Sequence, residues 1–171
     1  GFKASGSVGI SGAKIAGGVH CSGAVLNPSN GLALTLHNAV IGRGVSLDDG
    51  FSASRTVSLV GVTICADLSC NGATFFANEG AAMSLDGSMI SGDVYFDQDF
   101  SSTGNIRLSS SQIGGDVMLA GRFLSNDDGD ALELRNTKIR GDIFVFHSFK
   151  ASGEVSLSGA EVSGKFHWQP N

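Results

Sequence analysis

The 171-residue sequence predicts an all-β fold: a parallel β-solenoid (β-helix) of about seven coils of 23–26 residues, expected to wind right-handed. Three observations lead there. Phe2, Phe51, Phe100 and Phe149 recur every 49 residues, and the segments behind them align without a gap: GFKASGSVGISGAKIAGGV, GFSASRTVSLVGVTICADL, DFSSTGNIRLSSSQIGGDV and SFKASGEVSLSGAEVSGKF. Self-similarity at a fixed period is the signature of a stacked-repeat architecture. Within each repeat, apolar residues alternate at period two over only a few positions, which marks very short strands. Glycine and β-branched residues are spread along the chain with no 3.6-residue period, so helices have little support.

Each 49-residue unit divides into halves of 26 and 23 residues, and each half makes one coil. A coil begins with an apolar–x–apolar pair, from Val8/Ile10 and Leu34/Leu36 through to Val155/Leu157. A small residue follows (Ala13, Ala39, Val62, Ser88, Ser111, Thr137, Ala160), and two residues later an inward Ile ladder: Ile15, Ile41, Ile64, Ile90, Ile113, Ile139 and Val162. Five of the seven residues two places beyond the ladder are Gly (Gly17, Gly92, Gly115, Gly141, Gly164), which reads as a corner with positive φ. A last apolar pair closes the coil, from Val19/Cys21 to Phe166/Trp168. The extra residues of the longer halves (LNPSNG, FFANEG, LSNDDG) read as lateral loops on one edge. Strands of successive coils stack roughly 4.8 Å apart, so seven coils span roughly 30 Å. The chain is thus one solenoid domain, 1–171, in two-coil repeats at 1–49, 50–98 and 99–147 with a partial repeat at 148–171. Because both ends cut into the repeat, it reads as a fragment of a longer chain.

Composition narrows the function. Net charge is −5 with the basic residues scattered, so no nucleic-acid partner is expected. No apolar run reaches the length of a transmembrane segment, while peripheral membrane association and the compartment stay open. GAEVSGKF (159–166) matches the start of a phosphate-binding loop, but Phe166 stands where a metal-holding Ser or Thr is needed. Lys165 also falls where other repeats carry Gly18, Asp67 and Asp116, so no cofactor is assigned. The odd set of Cys21, Cys65 and Cys70 shows no metal spacing, and Cys21 and Cys70, two coils apart at roughly 9–10 Å, lie too far apart for a disulfide and read as buried hydrophobes. His20, His37, His147 and His167 read as surface residues, with no pair able to share a metal, and no Ser–His–Asp set can be placed. The outward column Gly9, Thr35, Ser58, Ser84, Arg107, Glu133, Ser156 lacks the Thr ladder of an ice-binding face.

VSLSGAEVSGKF together with GAVLNPSNGLALTL resembles the repeats of bacterial proteins labelled membrane-associated oxidoreductase, which read A-x-G-x-V-x-L-x-G-A-x-I-x-G followed by G-A-x-L and an N-P-x-G-x-A-L loop. The sequence is also similar to bactofilin repeats, where I-x-G-x-V recurs in shorter coils. Both resemblances imply a β-solenoid. The redox label finds no support in these residues, which include neither G-x-G-x-x-G entering a helix nor C-x-x-C.

Two columns stand out as candidate sites. Just before the last strand of each coil sit Gly18, Gly44, Asp67, Asp93, Asp116, Asp142 and Lys165. Four Asp at roughly 5 Å intervals repel by about 1 kcal/mol per neighbour even in water, so either the turn is solvated or a cation or basic partner offsets them. Within that strand the residue between the two inward ones points out: His20, Ser46, Ser69, Tyr95, Met118, Phe144, His167. Tyr95, Met118, Phe144 and the adjacent Phe146 then form an exposed apolar patch rimmed by Asp93, Asp116 and Asp142, the kind of surface that marks interfaces. The sequence reading is therefore a non-enzymatic scaffold or protein-interaction solenoid, self-associating or binding a protein partner through this patch or through open sheet edges, with Trp168 placed to plug one end. The alternative is a carbohydrate-binding or carbohydrate-cleaving β-helix using the Asp column.

Overall fold

The structure, a computed structural model, describes residues 1–125 and 129–169, and of residues 78 and 79 the backbone alone. Among the described residues it contains only β-strands, and every strand pairing is parallel. The chain is a β-solenoid in which successive coils stack in register. Ile15 pairs with Ile41, Ile41 with Ile64, Ile64 with Ile90, Ile90 with Ile113 and Ile113 with Ile139, one coil at a time. Ile41 through Ile139 are at most 1% exposed. This Ile sheet has seven strands, as does the sheet that follows it around the coil, which carries the candidate patch. The third sheet is wider, with twelve strands, because it joins two strand positions of every coil.

The wide sheet departs from the sequence reading, which finds three strand positions per coil where the structure has four. The extra position runs Lys3–Ala4, Val25–Leu26, Ser52–Ala53 and onward. FFANEG is not a lateral loop: it lies within the eleven-residue strand Thr74–Ser84, which pairs with both Ser52–Ala53 and Val57–Ser58 and joins the two positions across a bulge. Residues 126–128 of LSNDDG lie outside the described residues.

The same position explains why the repeat is two coils long. Odd coils bring a large then a small residue inward: Phe51/Ala53 and Phe100/Ser102. Even coils reverse the order: Ala24/Leu26, Ala73/Phe75, Gly121/Phe123. The rings interleave, with centroids 5.5 Å apart for Phe51–Phe75, 5.8 Å for Phe75–Phe100, 4.9 Å for Phe100–Phe123 and 5.1 Å for Phe123–Phe149. Two large side chains in one layer would overfill it and two small ones would leave a void, so alternation fills the rod evenly. Each buried ring contributes about 1.5–3 kcal/mol.

One member of this column is a misfit. Ser102 is fully buried, stands in register between Phe75 and Phe123, and its Oγ has no hydrogen-bond partner. The other odd coils carry Ala4, Ala53 and Ala151 there. Since a buried unpaired hydroxyl costs about 1–3 kcal/mol, Ser102→Ala should raise stability by about 1 kcal/mol. An unchanged or lowered denaturant midpoint would mean the hydroxyl finds a partner. By contrast, the buried hydroxyls of the small-residue column are bonded: Ser111 Oγ donates to the Leu85 carbonyl (2.7 Å) and Thr137 Oγ1 to that of Leu108 (2.6 Å), each in the preceding coil.

The positive-φ corners also lie elsewhere than expected. Gly17, Gly92, Gly115, Gly141 and Gly164 do not have positive φ. One left-handed corner is the column three residues before the Ile ladder (Gly12, Asn38, Gly61, Gly87, Ser110, Asn136, Gly159), with φ between 53° and 69°, and a second precedes the fourth strand position (Gly23, Asp49, Gly72, Gln98), with φ between 48° and 67°. Asn tolerates this region nearly as well as Gly, so the column is not glycine-pure and the signal is diluted. At the two ends of the stack Phe2, Phe166 and Trp168 are exposed, Trp168 by 64%, so Trp168 does not plug the end as expected.

Candidate functional site

In four consecutive coils the corner before the third strand is built by a ladder of carboxylates, Asp67, Asp93, Asp116 and Asp142. Asp67 Oδ1 accepts the backbone amide of Asp93 (2.9 Å), Asp93 Oδ1 that of Asp116 (2.7 Å), Asp116 Oδ1 that of Asp142 (2.7 Å) and Asp142 Oδ1 that of Lys165 (2.8 Å). Each Asp thus holds the next coil by a charge-assisted bond. Four of the five corner glycines fall into place here; the fifth, Gly17, has nothing within 4 Å of where its Cβ would stand. A Cβ at Gly92 would collide with Asp67 Oδ1, and Gly115, Gly141 and Gly164 stand in the same relation to Asp93, Asp116 and Asp142. Where the coil below carries Gly instead, the residue above is free to be larger: Arg43 follows Gly18, and Ala66 follows Gly44. All six steps of the stack obey this pairing, so the glycines serve close approach of a side chain rather than backbone dihedrals.

The outward column beside this ladder is registered as expected, Tyr95 on Met118, Met118 on Phe144 and Phe144 on His167. Val94, Phe96, Val117, Leu119, Ile143 and Val145 on either side are buried, which confirms the alternation, while Tyr95, Met118, Phe144 and Phe146 are half-buried. Apolar side chains and carboxylates are tied together. The Tyr95 hydroxyl donates to Asp93 Oδ2 (2.8 Å). The His167 ring stacks flat on Phe144, centroids 4.5 Å apart at 4°, with Nε2 2.8 Å from Asp142 Oδ2. Phe146 extends the row, stacked 6.2 Å from Phe144. The amide of Lys165 and then the His167 contact hold the Asp142 carboxyl below its ordinary value.

Tyr95 is the sole tyrosine, so its titration can be read directly. The hydrogen bond to Asp93, then burial and the charges of Asp93, Asp67 and Asp116, push its phenol up from 10.0 to about 12. A raised folded value stabilises the fold below pH 10, and that contribution disappears as pH rises toward 12. Ultraviolet titration of the phenolate should show this midpoint, and Asp93→Asn should lower it. An ordinary tyrosine midpoint would mean the Tyr95–Asp93 bond does not form.

Other candidates disperse. His20 and His147 are exposed and His37 contacts Ser58 Oγ. Among the described residues no three His, Cys, Asp or Glu are grouped to hold a metal. All three cysteines are free: Cys65 exposed, Cys70 buried and Cys21 half-buried, so only Cys70 is the fully buried hydrophobe expected. Burial raises both the Cys21 and Cys70 thiols, with the Asp48 charge adding at Cys70. No helix among the described residues is long and apolar enough to cross a membrane.

Two surface features escaped the sequence reading. On the wide sheet Arg107 pairs with Asp86 (2.7 Å), Arg135 pairs with Asp130 (3.0 Å), and Glu133 lies 3.9 Å from both guanidinium groups. Burial would raise the Glu133 carboxyl, but Ser109, Asn105 and the two Arg outweigh it and hold it low. On the Ile sheet a shallow depression of about 290 Å³ opens between Met89, Gln112, Lys138 and Arg140. Both are assembled from different coils, and nothing in the repeat marks them. No family model, curated protein or solved structure matches the chain. By fold it belongs to the parallel β-solenoids.

Proposed function

We propose that the protein is a non-enzymatic structural scaffold or interaction solenoid, with the outer row Tyr95, Met118, Phe144 and Phe146 as its docking face. One observation carries this reading. The Asp column, where a carbohydrate-active site would have to lie, spends one oxygen of each carboxylate on stacking the next coil, while the apolar side chains beside it stay on the outside. A rigid sheet that presents aromatic and Met side chains with a polar rim suits a protein partner.

The experiment compares the parent with Tyr95→Ser/Phe144→Ser on two readouts: cross-linked partners or self-association, and a glycan array. Both side chains point outward, so the variant keeps the melting transition. Loss of a protein contact in the variant supports the reading. Glycan binding that disappears in Asp93→Asn/Asp116→Asn would replace it with the carbohydrate alternative. If Tyr95→Ser/Phe144→Ser unfolds, these side chains are core and the face is misassigned.

A further inference from the structure

We propose that a notch lined by Asp99, Phe100, Gly121, Arg122, Ser148 and Lys150 binds a phosphate monoester, its oxyanion held between the Arg122 guanidinium and the Lys150 ammonium. The site is separate from the docking row and does not depend on it.

The first argument is a break in the repeat. Among the described residues, the corner leading into the fourth strand position has three or four residues in five copies (22–24, 48–51, 71–73, 97–100 and 146–149) and two in the other, Ala120 and Gly121. The coils on either side of that short corner carry four residues each, so the chain cuts inside them and leaves a notch of about 270 Å³. A ladder of backbone bonds ties the earlier corners together, from the Gly23 amide to the Asp48 carbonyl (2.9 Å), from Asp49 to Asn71 (3.1 Å) and from Gly72 to Asp97 (3.1 Å). It stops there, and the Gln98 amide donates instead to Asp97 Oδ1 (2.6 Å). No side chain at Gly121 can fill the space, because its φ is 86° and a Cβ would strike the Phe100 carbonyl.

The second argument is charge. Arg122 and Lys150 are register partners on neighbouring coils, and both are exposed. Like charges directly opposite on a sheet repel. Among the described residues neither cation has a carboxylate within 4 Å. A second like-charged register pair, Asp130 with Glu154, is compensated: Arg135 lies 3.0 Å from the first and 3.8 Å from the second. For Arg122 and Lys150 the compensating charge comes from the ligand. A guanidinium offers paired N–H donors to an oxyanion, an ammonium adds a point charge, and the Ser148 hydroxyl supplies a further donor. Asp99, also lining the notch, repels a second anionic group, so one phosphate on a neutral, hydroxyl-bearing stub fits better than a polyphosphate.

The probe is glycerol phosphate, titrated into ¹⁵N-labelled protein at constant ionic strength, with chloride as the control and amide shifts as the readout. Shifts at Gly121, Arg122, Ser148 and Lys150 should saturate, while those of the Ile sheet stay still. Arg122→Gln/Lys150→Gln keeps the fold, since both side chains are exposed, and should weaken binding about three- to tenfold, as loss of two exposed charge contacts predicts. Asp99→Asn should tighten it. Lengthening the 120–121 corner to four residues closes the notch with both cations in place and should also weaken binding. A second arm sediments the protein with phosphatidylcholine vesicles, with and without phosphatidic acid. Co-sedimentation that requires phosphatidic acid and is lost in the Gln variant makes a lipid headgroup the source of the phosphate; no co-sedimentation makes the source a soluble ester. Absence of saturable shifts, the same shifts with chloride, or binding that neither the Gln variant nor the lengthened corner weakens overturns the proposal.

Discussion

Ile113→Asp should abolish the cooperative melting transition of the central coils. Ile113 is 1% exposed and lies in register between Ile90 and Ile139, themselves 1% exposed. A carboxylate there has no donor within the ladder and no route to solvent, and the substitution also deletes the apolar volume that the two neighbours touch. Removing a buried Ile side chain costs about 2–5 kcal/mol, and burying an unpaired polar group adds about 1–3 kcal/mol. The sum approaches the whole 5–15 kcal/mol by which a domain is stable. In a solenoid each coil touches only its neighbours, so the lesion sits at an interface on which both halves of the rod depend. Circular dichroism should show a broad, early loss of β signal, with Ile113→Val as a control that costs only about 1 kcal/mol. A melting curve like the parent's would mean that the Ile ladder does not form the core.

The Ile ladder was legible because one residue type recurs at an unvarying distance from its strand partners. The outward row Tyr95, Met118, Phe144 was legible for the same reason: once one face of a period-two strand is known to be buried, the other face follows. The fourth strand position was not. Its inward residues run Ala4, Leu26, Ala53, Phe75, Ser102, Phe123, Ala151, and this alternation of size looks like noise until the Phe two residues upstream is seen to fill the complementary space. The carboxylate ladder was visible as a column, but its use was not. Its chemistry lies in a contact between one coil's side chain and the next coil's backbone, with the Gly beside that backbone as the only trace. The arginine network on the wide sheet left no trace, since Arg107 lies one coil before Glu133 and Arg135 and neither arginine repeats along its column.

The pairing of Asp with the Gly above it makes the second large prediction. Gly92→Ala alone should destabilise the rod by about 2–4 kcal/mol: the new Cβ meets Asp67 Oδ1 and comes within 3.0 Å of backbone atoms at Ala66 and Asp67, so Asp67 must swing off the Asp93 amide it now accepts. Asp67→Gly alone should cost about 1–2 kcal/mol, through loss of that bond and added freedom of the unfolded chain. If the two positions were independent, the double variant would suffer both losses. It should instead lose clearly less than the sum, because removing the carboxylate removes the closest clash and leaves only the tight backbone contacts at 66 and 67, and the pair then copies the Gly44–Ala66 step that the chain already contains one coil below. A coupling of about 1–3 kcal/mol in this cycle is what direct contact produces. Additive losses would mean that the clash at Gly92 is with backbone alone, and that the six matched steps of the column do not reflect a packing rule.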